Sequence, residues 1–169
     1  MSVTMRLGRR PETTAADAER VEELLRAMRV TEAEQSYALT IPGLPYSKSR
    51  PRFTRKGRPF HAPRDKSAER ATAVYLRATV RRPYTGNVAL ACVFYRDTLR
   101  RIDVDNLLKH VCDAANGVLW VDDCQCTAIT AVIELDRQNP RTVLAVAPHT
   151  SSMVRDLSKP KPLTGGLFS

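Results

Sequence analysis

The stretch DVDNLLKHVCDAANGVLWVDDCQ, residues 103–125, decides how this chain folds. Leu107, Leu108, Val111, Ala114 and Ala115 recur at three- and four-residue spacing, which predicts a helix over 105–116 with one buried stripe. Gly117 follows where a helix C-cap favours glycine. The run before it, VALACVFY (88–95), is apolar at every position and reads as a strand central in a sheet. Strands are expected after it at about 126–135 and 142–147, joined by the turn DRQNP.

The same stretch carries four acids, Asp103, Asp105, Asp122 and Asp123. In extended chain, Asp103 and Asp105 point the same way, and Asp105 also stands at a helix N-cap position. A twelve-residue helix leads about 18 Å away, and the seven residues 117–123, if extended, cover up to about 23 Å. Asp122 or Asp123 can therefore return level with Asp105. Three carboxylates at one point repel unless a cation sits among them. Oxygen donors without His or Cys suit Mg²⁺ or Mn²⁺. Lys109, one turn beyond Asp105, can touch a phosphate or stabilise charge developing on it. The plainer alternative makes these acids turn and cap residues, with Asp105–Lys109 an ordinary exposed pair.

Charge supplies a reason for such a site. The chain has a net charge of +9. Between Pro45 and Arg82 there are twelve bases and two acids, a net of +10, so this span holds the whole excess. Its densest part, with Lys48, Arg50, Arg52, Arg55, Lys56 and Arg58 interleaved with Phe53 and Phe60, suits a polyanion such as DNA. Lys56-Gly57 reads as the turn of a loose hairpin or extended loop. Phe53 and Phe60 suit either wedging into opened DNA or packing. His61 and His110 read as surface or packing residues, and Trp120, between Leu119 and Val121, as core.

Around these features the pattern gives a helix from Thr13 or Thr14 to about Arg29, with Val21, Leu24, Leu25 and Met28 as its stripe. Thr14 and Asp17 resemble a capping box, and the helix can pack on the core or on a second subunit. A strand is expected over 36–41 and a helix over about 65–80. The fold class is α+β in a single domain: a small mixed sheet packed with two helices, hairpins at both ends, an extra N-terminal helix and a flexible C-terminal tail. The divisions fall at 1–35, 36–148 and 149–169. Cys124 and Cys126 are too close for an ordinary zinc pair, and the four cysteines read as reduced thiols. With no apolar leader and no run of about 20 apolar residues, a soluble cytoplasmic protein is expected.

The run Asp103-Val-Asp-Asn-Leu-Leu-Lys109, followed by Asp113-Ala, Gly117 and Asp122-Asp-Cys-Gln125, resembles the D-x-D-N-x-x-K and D-D-x-Q segments of the RusA family of Holliday junction resolvases. Upstream, Lys48-Ser-Arg-Pro-Arg52 with Gly57 resembles the K-x-R-P-R-x-x-x-x-G stretch of its phage and bacterial relatives. The resemblance covers about Leu39 to Val146. It implies that Asp103, Asp105 and Asp123 are metal-binding catalytic acids, with Asp122 their neighbour, and that Lys109 is the essential lysine. It further implies a homodimer that uses Mg²⁺ or Mn²⁺ to nick opposing strands of a four-way DNA junction symmetrically. The N-terminal 35 residues, Cys126 in place of an aliphatic residue, and the tail depart from the family pattern. Forks, flaps or other branched DNA as preferred substrate, and a non-catalytic DNA-binding module, are the competing readings.

Overall fold

The computed structural model describes residues 12–30, 35–48 and 63–153, together with the backbone of 52–53 and 59–60. The chain runs α1 (Ala15–Ala27), β1 (Tyr37–Pro42), β2 (Arg52–Phe53), β3 (Pro59–Phe60), α2 (Pro63–Arg77), β4 (Val88–Arg96), α3 (Val104–Ala115), β5 (Cys126–Leu135) and β6 (Arg141–Pro148). It is an α+β fold around a four-stranded mixed sheet of order β1-β6-β4-β5. β6 pairs antiparallel with β1 and with β4, whereas β4 and β5 are parallel. Parallel neighbours need a crossover, and α3 is that crossover, so residues 103–125 are framed by the β4–α3–β5 unit. β2 and β3 form the expected antiparallel hairpin, Arg52 opposite Phe60.

The expected hairpin at the C-terminal end is not formed. β5 and β6 are joined by a short turn, yet β6 inserts between β1 and β4. Burial explains the choice. Val143–Ala147 are buried without interruption, while β5 has exposed positions along its length. A strand apolar on both faces takes an inner place, and the more amphipathic one takes the edge.

The two faces of the sheet differ in side-chain size. Val88, Leu90, Cys92, Phe94, Leu144 and Val146 point into the core shared with α2 and α3, where Leu76, Leu107, Val111 and Trp120 fill the space. Ala89, Ala91, Val93, Val143, Ala145 and Ala147 form the other face, and α1 lies on it through Val21, Leu25, Leu24 and Met28. Small side chains let the helix backbone approach closely. The N-terminal helix therefore packs on this subunit's own sheet. Thr14 caps it, accepting from the Asp17 N–H at 3.2 Å.

The other half of the expected capping box is replaced. Asp17, 2% exposed, accepts a two-pronged bond from Arg141, Nε at 2.9 Å and Nη2 at 2.7 Å. Arg141 also donates to Asp136 at 2.7 Å and lies over the Tyr95 ring at 3.8 Å. This pair bolts the start of α1 to the start of β6. The four cysteines are free thiols, and no helix among the described residues is long and apolar enough to cross a membrane. Residues 1–11 and the tail from 154 lie outside the described residues.

Removing one partner of a buried pair strands the other charge. Arg141→Ala is expected to lower the unfolding free energy by about 3–5 kcal/mol, read from urea titration. Hydrogen bonds from Arg141 hold the Asp17 carboxyl below its ordinary value, against the opposing effect of burial. Its contribution is thus complete above the ordinary carboxylate range and is lost as pH falls through the lowered value. Asp17→Asn should flatten that acid limb of the stability curve.

Candidate active site

The crossover begins with a loop carrying exposed Arg100 and Arg101 and ends at Asp103. Asp103, at φ −92° and ψ 125°, is the N-cap of α3, although its side chain makes no capping bond to the helix backbone. Its Oδ2 instead accepts from Asn106 Nδ2 at 3.4 Å. The cap is two residues earlier than the sequence pattern predicts, because the helical phase already starts at Val104. Asp105 sits in the first turn, its Oδ1 accepting from the Asn106 N–H at 2.9 Å. The alternation of extended chain consequently does not govern the pair. Both carboxylates are exposed at the helix N-terminus, where the dipole favours negative charge.

The return is a tight turn, not an extended segment. Gly117 takes φ +72°, a left-handed conformation, and its N–H donates to Trp120 O at 2.8 Å. Trp120 is fully buried, and its indole Nε1 donates to Asp123 Oδ1 at 2.8 Å. Asp122 caps the short 3-10 turn Asp123–Gln125 and accepts from the Cys124 N–H at 2.9 Å. Asp123 stands near Cys112, about two turns along α3 from Asp105. Burial first, and then the charges of Asp123 and Asp113, push the Cys112 thiol up to about 11. Cys126 is pushed up to about 12 by burial, with Cys112 and Asp123 adding to it.

Gln125 is the clamp of this segment. Wholly buried, its Oε1 accepts from the N–H groups of Val121 and Asp122 at 2.8 and 2.9 Å. Its Nε2 donates to the carbonyls of Tyr84 and Gly86 at 2.8 and 2.7 Å. The D-D-x-Q spacing contained this signal, but only as a pattern, since nothing in the sequence tells which backbone groups a glutamine will satisfy.

Lys109 is 61% exposed and faces Asp113 at 3.7 Å, so its ion-pair partner is downstream, not Asp105. Lys48 belongs to the basic run expected to face DNA, but its side chain is turned inward. It is 8% exposed, with Nζ bonded to Glu69 at 2.6 Å and to Asp113. Nothing in the sequence pattern marks Glu69 and Asp113 as its partners. His110 is buried as a packing residue, its Nε2 2.9 Å from Thr72 Oγ1 and its ring against Tyr46. Burial lowers its pKa. The side chains of Arg50, Arg52, Phe53, Arg55, Lys56, Arg58, Phe60 and His61 lie outside the described residues.

The donor set suits a hard divalent cation in kind: Asp103, Asp105 and Asp123 are exposed carboxylates. It does not form a ready-made cage. Among the described residues no three His, Cys, Asp or Glu side chains converge closely enough to hold a metal. Each of the three acids is turned toward a local donor, Asn106 or Trp120.

The sequence model of the family described as endodeoxyribonuclease RusA matches residues 42–147. The chain belongs to the RusA family. The match spans more than half the chain, from the end of β1 to β6, and takes in the whole β4–α3–β5 crossover. Comparison with curated proteins returns no match. RusA membership makes the protein an endodeoxyribonuclease, a phosphodiester hydrolase.

Gln125→Ala leaves four backbone groups without their partner. It is expected to cost about 3 kcal/mol or more in unfolding free energy, measured by urea titration. Cys124→Ala, one residue away and exposed, should change stability by less than about 0.5 kcal/mol.

Proposed function

We propose that the protein is a divalent-metal-dependent, structure-selective endonuclease that resolves four-way DNA junctions by nicking two opposing strands symmetrically, in a bacterial or phage setting. The observation that carries the reading is the β4–α3–β5 crossover. It carries Asp103 and Asp105 at the start of one helix, Lys109 midway along it, and Asp123 on the segment that returns from it, inside a RusA match. Asp103, Asp105 and Asp123 are the proposed metal ligands, with Asp122 beside them already engaged as a cap. When bound, Mg²⁺ or Mn²⁺ polarises the phosphoryl oxygen and lowers the pKa of the attacking water. Lys109, exposed and 3.7 Å from Asp113, is the proposed contact to the scissile phosphate. Arg100 and Arg101, in the loop that delivers Asp103, add positive charge beside the acids.

Two strands cut symmetrically call for two active sites related by a twofold axis. β5 supports a homodimer. It is one of the two edge strands of the sheet, and Ile129, Ile133 and Leu135 are exposed along it. An apolar edge strand of this length is a pairing surface that a monomer would have to blunt.

Labelled four-way junctions, forks and linear duplex, with Mg²⁺, Mn²⁺ or chelator, test the proposal. The wild type should nick junctions in paired positions only when metal is present. Asp105→Asn should bind junctions and cut them more than about 100-fold more slowly. Preferred cutting of forks would reassign the substrate. Binding without cutting in either metal would leave a DNA-binding module, and a strict monomer by light scattering would remove the paired mechanism.

A further inference from the structure

Lys48 opens the basic run, yet it is closed off from solvent. Its backbone N–H donates to Asn106 O at 3.3 Å, and its Nζ reaches Asp113. Asn106 and Asp113 are seven residues apart on α3, about two turns. One residue thus grips the helix along its length, while Glu69 at 2.6 Å ties the same ammonium to α2. Burial opposes the Lys48 charge, but Asp113 and Glu69 outweigh it, and the ammonium is held protonated above its ordinary range. Asp113 is shared: its Oδ2 takes Lys48 and its Oδ1 faces Lys109. Two cations and two anions make a neutral set, and a phosphate could reach the buried Lys48 ammonium only by stripping it of both carboxylates.

We propose that Lys48 is a positioning residue, which through Asp113 sets Lys109 on α3 and fixes the root of the basic segment 49–58 to the helix that carries Asp105. The role assigned to Lys109 rests on the nuclease reading above. The geometry of the brace does not, so the two are tested separately.

Reductive methylation followed by peptide mass spectrometry reads the brace without any DNA. Lys109 should be modified readily and Lys48 should be protected in the wild type, and Asp113→Asn should expose Lys48. Equal modification of the two lysines in the wild type overturns the inference.

Single-turnover nicking, on whichever branched DNA the wild type cuts, reads the function. Lys48→Met and Asp113→Asn should each slow nicking at saturating DNA by roughly 10–100-fold. Affinity should change less than about twofold, and the salt dependence of binding should be unchanged. In a Lys109→Ala background neither should cost more. Additive losses there would mean a merely structural pair. Weakened binding with a salt slope smaller by about one, and normal nicking at saturation, would make Lys48 a phosphate contact. Asp113→Asn keeps the side-chain shape and carries the test if Lys48→Met does not fold.

Discussion

Two inner strands, β4 and β6, have no face turned to water, and most of the architecture follows from covering them. A strand buried on both faces needs a layer above and a layer below, and a neighbour on each edge to satisfy its backbone. The large-residue face, led by Leu90, Phe94 and Leu144, takes two helices and the Trp120 turn. The alanine face takes one helix at close range. β1 and β5 are left as the edges. Because β5 runs parallel to β4, the chain must travel the length of the sheet between them, and that obligatory journey is α3. The candidate site is built on the part of the chain that the topology forces to exist.

Within that frame the acids are set by local hydrogen bonds as much as by topology. Asp103 ends a loop, Asp105 lies in the first turn, and Asp123 is tethered to an indole in the core. The Asp123 side chain is tethered by Trp120, and the backbone just before it, at Val121 and Asp122, is held by Gln125. Asp103 and Asp105 are exposed at the helix N-terminus, whereas the Asp123 side chain is tied to the core.

Much of this was legible in the residues. The uninterrupted apolar run 88–95 announced one inner strand, and three- and four-residue spacing placed all three helices to within a few residues. Trp120 declared itself core by its neighbours. What the pattern could not reveal was pairing between distant segments. Nothing local in β5 or β6 says that β6 will cross to the far side of β4. That follows from comparing their burial, which only the assembled sheet provides. Charge was read as a property of stretches, so Lys48 was counted with the arginines that follow it. Its partners Glu69 and Asp113 lie 21 and 65 residues away. Similarly, Asp17 looked like half of a local cap because its true partner, Arg141, is 124 residues distant.

The RusA match begins at Pro42, but the layer that closes the alanine face ends at Ala27. The segment recognisable by kinship and the segment that keeps water off the sheet are therefore different stretches of chain. Shielding Ala89, Ala91 and Ala145 belongs to a helix outside the matched span, fastened by Asp17 to an arginine inside it. The N-terminal segment is then a working part of the domain's interior, and its sequence is free to vary only where it faces away from those alanines.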